Sequence, residues 1–132
     1  MDVCYWNRKK KDNKFIYLDL KEIFKLSDVI FLCLSINDET KKIVTDELLN
    51  TFKKCAIFIS CTGKNLFNHE LVLEKVKSGE LFGYALEEPN VPIDKYAGNI
   101  MVTSEYAWFT KESNKKRIDL WIDNVCKFFK KS

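Results

Sequence analysis

Short apolar runs alternate along the chain with segments whose apolar residues recur at three- and four-residue spacing. The runs of apolar and β-branched residues predict six strands, at residues 3–6, 15–18, 29–36, 56–60, 81–86 and 100–103. Strands that alternate with helices indicate an α/β domain with a mainly parallel sheet. The run at 29–36 is the most continuous, so we place it at the sheet centre with strands on both sides.

Capping residues and the helical spacing of apolar residues predict the helices. Asp19, Thr45 and Asn68 each precede such a segment and can accept a hydrogen bond from its first turn. The longest helix is predicted over residues 110–131. Its apolar stripe consists of Ile118, Trp121, Ile122, Val125, Phe128 and Phe129. We interpret this stripe as core packing in preference to a partner-binding face.

Length and composition predict one domain over residues 1–132. Hydrophobic residues make up 46% and charged residues 31%, which excludes a disordered chain, and the net charge of +3 does not indicate nucleic-acid binding. The five cysteines include no Cys-x-x-Cys pair, which argues against a metal site and favours a reducing, cytoplasmic compartment. No apolar run approaches the roughly 20 residues that span a bilayer, so no membrane association is expected.

Residues 56–86 predict a strand, a polar loop, a helix, a turn and a second strand. Such a unit joins parallel strands, and ligands of open parallel sheets bind beside the loops at the carboxyl ends of strands. The loop at 61–65 and the residues after Leu86 are therefore the candidate site. The only histidine, His69, falls in the first turn of the helix, where we interpret it as a surface residue.

Four stretches follow one another in the order found in a known enzyme family. Residues 27–60 are similar to a strand, an Asn/Thr-x-Glu-Thr segment, a helix and a strand, and residues 71–86 to a helix, Ser-Gly and a strand. Residues 99–113 resemble a strand and the Tyr-Thr-x-Glu helix start after it. Residues 3–10 resemble a second Rossmann strand and its cofactor-selecting turn. Together they resemble the NAD-binding domain of D-isomer-specific 2-hydroxyacid dehydrogenases.

The resemblance implies a three-layer, Rossmann-like α/β fold, with helices on both faces of a mainly parallel sheet, truncated at the N-terminus. It begins at the family's second strand, and no glycine precedes Gly63, so the first strand and the glycine-rich phosphate loop are expected to be lacking. The implied cofactor is NAD or NADP, bound weakly or not at all by this chain alone. The implied cofactor-binding residues are Asn7, Arg8, Leu34, Ser35, Cys61, Thr62 and Glu87.

The family's catalytic positions are altered in this sequence. Its carboxylate-binding Arg corresponds to Gly63 and its acid/base His to Glu105. Glu87 or Glu88 takes the place of either its nicotinamide-contacting Asp or its His-orienting Glu, so Glu88 and Glu105 are the implied catalytic residues. Hydride transfer to a 2-keto acid, the oxidised form of the implied 2-hydroxy acid substrate, needs a cation and a proton donor with a pKa of about 7. Gly63 offers no charge, so we expect impaired catalysis.

Three functions remain open at this point. The first is an NAD(P)-dependent oxidoreductase domain of this family, truncated and catalytically impaired. The second is a non-catalytic binding or scaffold module that keeps the crevice without the reaction. The third is a fragment subunit whose sheet is completed by a separate N-terminal chain, with a homo-oligomer as an alternative assembly.

The missing first strand would leave a slot inside the sheet, whose family order is 3-2-1-4-5-6. Backbone groups left unpaired in an apolar setting cost about 1–3 kcal/mol each. Closing the slot means moving the strand at residues 3–6 by about 4.8 Å, one strand spacing. We therefore predict that this strand pairs directly and in parallel with the strand at 29–36, which gives the order 3-2-4-5-6.

Overall fold

A four-stranded parallel sheet forms the centre of the structure, a computed structural model that describes residues 1–11, 14–41, 43–92 and 94–130. Its strands, in spatial order, are β3 (Val29–Leu32), β4 (Ala56–Ser60), β5 (Leu81–Glu87) and β6 (Ile100–Thr103). A separate parallel pair consists of β1 (Cys4–Tyr5) and β2 (Ile16–Tyr17). The predicted α/β, Rossmann-like and mainly parallel architecture is confirmed.

Four α-helices accompany the strands in the described part of the chain. They are α1 (Leu20–Leu26), α2 (Asp46–Leu49), α3 (His69–Lys77) and α4 (Lys111–Phe129). The side chains of Asp19, Thr45 and Asn68 each accept a backbone N–H from three residues ahead, so the three predicted N-caps are confirmed. The last residue of the final predicted helix, Lys131, lies outside the described residues.

One face of the sheet, the covered face, packs against helices. Alternate strand residues such as Ile30, Phe58 and Tyr84 are buried there, because successive side chains of a strand point to opposite faces. Helices α1, α2 and α3 contribute buried apolar side chains to the same core. The rings of Phe58 and Tyr84 stack with their centroids 5.7 Å apart. This packing holds β4 and β5, whose carboxyl ends precede the predicted site residues, against the helices.

The opposite face, the open face, carries apolar side chains that remain in contact with solvent. Phe31 is 65% exposed and Met101 62%, and between them Ile57 and Ile59 are half-buried. The strands are apolar on both faces of the sheet, but the structure buries their side chains on the covered face and leaves those of the open face partly or largely exposed. The second helical layer expected from the family resemblance is not seen among the residues that the structure describes.

The long helix α4 does not bury its apolar stripe. None of its residues is buried, and Trp121 and Phe128 are 62% and 70% exposed. The prediction that the stripe packs in the core is therefore wrong. A stripe shows that a helix has an apolar side, but what covers that side depends on segments elsewhere. Within the described ranges, no helix has the length and apolar character needed to cross a membrane.

The predicted closing of the sheet does not occur. Among the described strands, β3 stands at one edge of the four-stranded sheet and β1 is paired with β2, so the order 3-2-4-5-6 and the central place of residues 29–36 are wrong. The chain passes from β2 through Asp19 directly into α1, whose Phe24 is 1% exposed in the core. Because α1 follows β2 so closely, moving β1 and β2 towards β3 would also displace α1 from the core.

Candidate functional site

The carboxyl ends of the parallel strands lie together at one edge of the sheet. The strand register aligns Leu32, Ser60 and Leu86 across β3, β4 and β5. The predicted site residues Cys61 and Glu87 follow these positions directly and therefore lie on neighbouring strands. Because side chains alternate along a strand, the edge divides into groups that continue the open face and groups that continue the covered face.

Cys33, Cys61 and Glu87 continue the open face, and we call them the open-face end. The N–H of Cys61 donates to the carbonyl oxygen of Leu32 at 3.1 Å, which completes the last pair of the β3–β4 ladder and keeps Cys61 beside β3. Burial raises the pKa of the Cys61 thiol, and the neighbouring Cys33 thiol and the charge of Glu87 raise it further. The three side chains therefore lie within electrostatic reach of one another.

The loop after β4 is fixed by a buried hydroxyl. Ser60 is 1% exposed, and its Oγ donates to the carbonyl oxygen of Thr62 at 2.9 Å. This bond turns the chain at the predicted cofactor contacts Cys61 and Thr62, both of which are half-buried. Gly63 follows, and an added Cβ there would lie 3.4 Å from Cδ1 of Ile36, an ordinary van der Waals distance.

Glu87 holds the segment that follows β6. Its Oε1 accepts the N–H of Ala107 at 2.6 Å, and the backbone N–H of Glu88 donates to Thr103 at 2.9 Å. The first contact attaches the loop of residues 104–109 to the end of β5, and the second joins β5 to the last residue of β6. Glu105, the second implied catalytic residue, is exposed on this loop.

Glu88 continues the covered face and is held by three donors, which we call the Glu88 cluster. Its Oε1 lies 2.5 Å from Nζ of Lys64 and 2.9 Å from Nζ of Lys95, and Tyr96 donates its hydroxyl to Oε2 at 2.7 Å. Burial opposes ionisation of the carboxyl, but the hydrogen bonds from Lys64, Lys95 and Tyr96 outweigh it and lower the pKa of Glu88 to about 2. Two cations share one carboxylate, so the cluster keeps one excess positive charge.

His69 links this cluster to the core. Its Nδ1 is 3.2 Å from the hydroxyl of Tyr84 and its Nε2 is 3.3 Å from that of Tyr96. His69 is half-buried, so the prediction of a surface residue is wrong. The cap at Asn68 starts α3 beside β5, which places the first helical turn over Tyr84. Burial, followed by the charge of Lys64, lowers the pKa of His69.

Residues near the N-terminus are tied to the segment that follows β3. Arg8 forms an ion pair with Glu39, and the carbonyl oxygen of Asn7 accepts the hydroxyl of Tyr17 at 3.2 Å. Thr40 is buried and donates to the carbonyl oxygen of Ser35 at 2.7 Å. The predicted cofactor contacts Asn7, Arg8 and Ser35 thus belong to two connected segments. Leu34, the remaining one, is half-buried beside Ser35.

The sequence predicted Glu88 as a site residue, but it did not predict the side chains that bind Glu88 and His69. Lys95 and Tyr96 lie between the predicted strands at 81–86 and 100–103, where the sequence predicts no helix or strand, and Tyr84 is predicted only as part of an apolar strand. The signal was present in Tyr84, because a buried tyrosine hydroxyl usually finds a hydrogen-bond partner. A tyrosine inside an apolar run, with the only histidine of the chain on the preceding helix, indicates such a pair.

The chain matches a known family and individual proteins in sequence. The profile of a family described as D-isomer specific 2-hydroxyacid dehydrogenase, NAD binding domain, matches residues 1–95. A glycerate dehydrogenase from Methylorubrum extorquens is 31% identical over 116 residues, which cover 82% of this chain and 37% of that protein. A hydroxypyruvate reductase from Blautia hydrogenotrophica is 27% identical over 135 residues, which cover 98% of this chain and 42% of that protein.

A solved structure is similar over nearly the whole chain. It is an acyclic imino acid reductase (Bsp5) in complex with NADPH and D-Arg, with a TM-score of 0.86 and 26% identity. The similarity covers 99% of this chain and 44% of that one. The chain therefore spans less than half the length of each of these three proteins.

Proposed function

The chain belongs to the D-isomer specific 2-hydroxyacid dehydrogenase family through its NAD binding domain, and from this premise we propose that it forms the nicotinamide side of an NAD(P)-dependent oxidoreductase. The family resemblance read from the sequence is confirmed. The observation that supports the proposal is the meeting of Cys61, Thr62 and Glu87 at adjacent carboxyl ends of parallel strands, the edge where such sheets bind ligands. The proposed substrate class is a 2-hydroxy or 2-keto acid.

We propose that hydride transfer by this chain is impaired. Gly63 supplies no cation where the family binds the substrate carboxylate. A proton donor for the ketone needs a pKa near that of the medium, whereas Glu88, with its pKa of about 2, stays ionised at neutral pH. Both ring nitrogens of His69 lie beside tyrosine hydroxyls and are occupied. We therefore assign Glu88 the role of holding Lys64 and Lys95, not that of an acid.

The experiment that tests this function is calorimetric titration of the purified chain with NADH and NADPH. The family's glycine-rich phosphate loop has no counterpart before Gly63, and each lost charge-assisted hydrogen bond to the pyrophosphate is worth about 1.5–3 kcal/mol. We expect dissociation constants no better than roughly millimolar for either cofactor. A value in the low micromolar range would overturn the proposal of weak binding.

A second candidate is a subunit completed by another chain, and the edge of β3 that pairs with no other described strand favours it. The carbonyl oxygens of Asp28 and Leu32 accept bonds from Ile57 in β4 and from Cys61 directly after it. Since residues of a strand alternate in direction, Val29 and Phe31 direct their backbone groups away from β4, along that edge. Adding a polypeptide that carries a strand, G-x-G-x-x-G and a helix should protect these two amides from hydrogen exchange and strengthen NADH binding. Unchanged exchange and affinity would favour the scaffold function.

A further inference from the structure

Two cysteines face each other at the open-face end. Leu32 pairs with Ser60 at the end of the β3–β4 ladder, and the N–H of Cys61, the residue after Ser60, donates to the carbonyl oxygen of Leu32, so the two segments still lie side by side at the next residues. Cys33 therefore stands opposite Cys61. Neither residue is paired in a disulfide. The arrangement comes from two separate strands and was not visible as a Cys-x-x-Cys motif.

Both thiols lie on the same side of the sheet. Phe31 and Cys33 are exposed and Leu32 is buried, while Ile59 and Cys61 are half-buried on either side of the buried Ser60. The alternation gives Cys33 and Cys61 the direction of the open face. Adjacent strands lie about 4.7–4.9 Å apart. That spacing is within the Cα separation of about 4.4–6.8 Å that a disulfide requires.

We propose that Cys33 and Cys61 form a reversible intramolecular disulfide, which makes the open-face end a site of redox modification by small-molecule disulfides. In the first step the exposed Cys33 thiolate attacks one sulfur of oxidised glutathione, the S–S bond breaks, and one glutathione thiolate leaves. In the second step the Cys61 thiolate attacks the Cys33 sulfur of the mixed disulfide and displaces the second glutathione. One protein dithiol and one oxidised glutathione thus give one protein disulfide and two reduced glutathione molecules.

The position of the other cysteines makes this pairing selective. Cys55 lies at the opposite end of β4, six residues before Cys61, on the order of 20 Å away along the strand. Cys126 is exposed on α4, and Cys4 lies on β1 with its Sγ 3.7 Å from Oγ of Ser27. Only the pair at the open-face end stands at neighbouring positions of one ladder among the residues described.

The environment favours the oxidised form yet keeps it reducible. Burial and the nearby Cys33 and Glu87 raise the pKa of Cys61, so the dithiol gains little from ionisation. A reduced state that is not stabilised as thiolate is oxidised more readily. Cys33 is exposed, and exposed disulfides are the labile ones that thiols reduce. The bond would join the segment after β3 to the loop after β4, and the inference does not depend on the proposed function.

The test is oxidation of the folded full chain with oxidised glutathione, followed by digestion without reductant and mass spectrometry. We expect a peptide that links Cys33 to Cys61, with a mass two hydrogens below the sum of the two separate thiol peptides, and return to the thiols on adding reduced glutathione. The linked peptide should exceed any other pairing by about a hundredfold, because the second step is intramolecular. The Cys33→Ser and Cys61→Ser variants should instead keep one glutathione on the remaining thiol.

The matched controls are Cys55→Ser and Cys126→Ser, which remove an exposed thiol outside the open-face end. Both should form the linked peptide as the wild type does, and circular dichroism checks that every variant is folded. The proposal is overturned if Cys33 and Cys61 carry glutathione separately without closing. It is also overturned if neither reacts, or if pairs through Cys55 or Cys126 dominate.

Discussion

The two faces of the sheet are built from the same strands and have opposite surroundings. On the covered face Phe58 of β4 is 0% exposed, and on the open face Phe31 of the adjacent strand β3 is 65% exposed. Their apolar patterns are similar, so the difference lies in what lies above each face. The strand sequences are typical of a sheet that is covered on both faces, whereas the described helices of this chain cover one face. An apolar strand sequence therefore predicts that a face is covered, but it does not show that the described residues provide the cover.

The same division separates the chemical groups at the edge of the sheet. The Glu88 cluster and His69, which continue the covered face, are satisfied by ion pairs and hydrogen bonds. The open-face end presents two thiols to solvent or to one another. We infer that the covered side has a structural role and that reactivity resides on the open side.

The largest expected effect distinguishes the two faces directly. Phe58→Ala should lower the free energy of unfolding by about 3–5 kcal/mol, because it leaves a cavity in the core. Phe31→Ala, the matched change on the open face, should stay within about 0.5 kcal/mol. Urea unfolding followed by circular dichroism measures both.

A milder core variant keeps this test valid if the Phe58 variant fails to fold. Ile30→Val should cost about 0.5–1.5 kcal/mol, since Ile30 is 4% exposed. If Phe31→Ala costs as much as the core variants, the open face is covered in solution and the contrast between the faces is lost.

The second effect concerns the Glu88 cluster. Glu88→Gln should destabilise the fold by about 1–3 kcal/mol at neutral pH, because Lys64 and Lys95 lose their charged partner. The folded carboxyl has a pKa of about 2 against an ordinary 4.5, so its stabilisation is present above pH 4.5 and is lost as the pH falls towards 2. The gap between wild type and variant should therefore close on acidification. The control is Glu105→Gln, an exposed acid that should leave stability nearly unchanged.

How far the sequence predicted this molecule depended on whether the determining contacts are local. The caps at Asp19, Thr45 and Asn68 were predicted correctly because the donor lies three residues away. The place of β1 was not, because it is set by the anchoring of Phe24 in the core. His69 was misread since its partner Tyr84 is 15 residues away. The α4 stripe was predicted, but its burial depends on material that the described residues do not supply.

A smaller effect should appear at mildly acidic pH. The fold lowers the pKa of His69 below its ordinary 6.5, so the neutral ring is favoured in the folded state. The unfolded chain then binds more protons, and stability should fall as the pH drops below 6.5, until the lowered pKa is passed. His69 is the only histidine, so His69→Gln should remove this slope. Unfolding curves at several pH values test it, and an unchanged slope in the variant would assign the titration elsewhere.

The smallest expected effect is that restoring two family residues produces no dehydrogenase activity. Gly63→Arg with Glu105→His places the family's cation and acid/base residues at their positions, and the Cβ at residue 63 meets only ordinary contact with Ile36 at 3.4 Å. The charge and the imidazole would be present, but the chain spans 37% of the related glycerate dehydrogenase, and the open face remains uncovered beside them. Hydride transfer needs the substrate held near the nicotinamide, with water excluded. We therefore expect no reduction of pyruvate or glyoxylate with NADH or NADPH. Robust turnover by the double variant would show that this chain alone builds a working site, and that the contrast between its two faces has no bearing on catalysis.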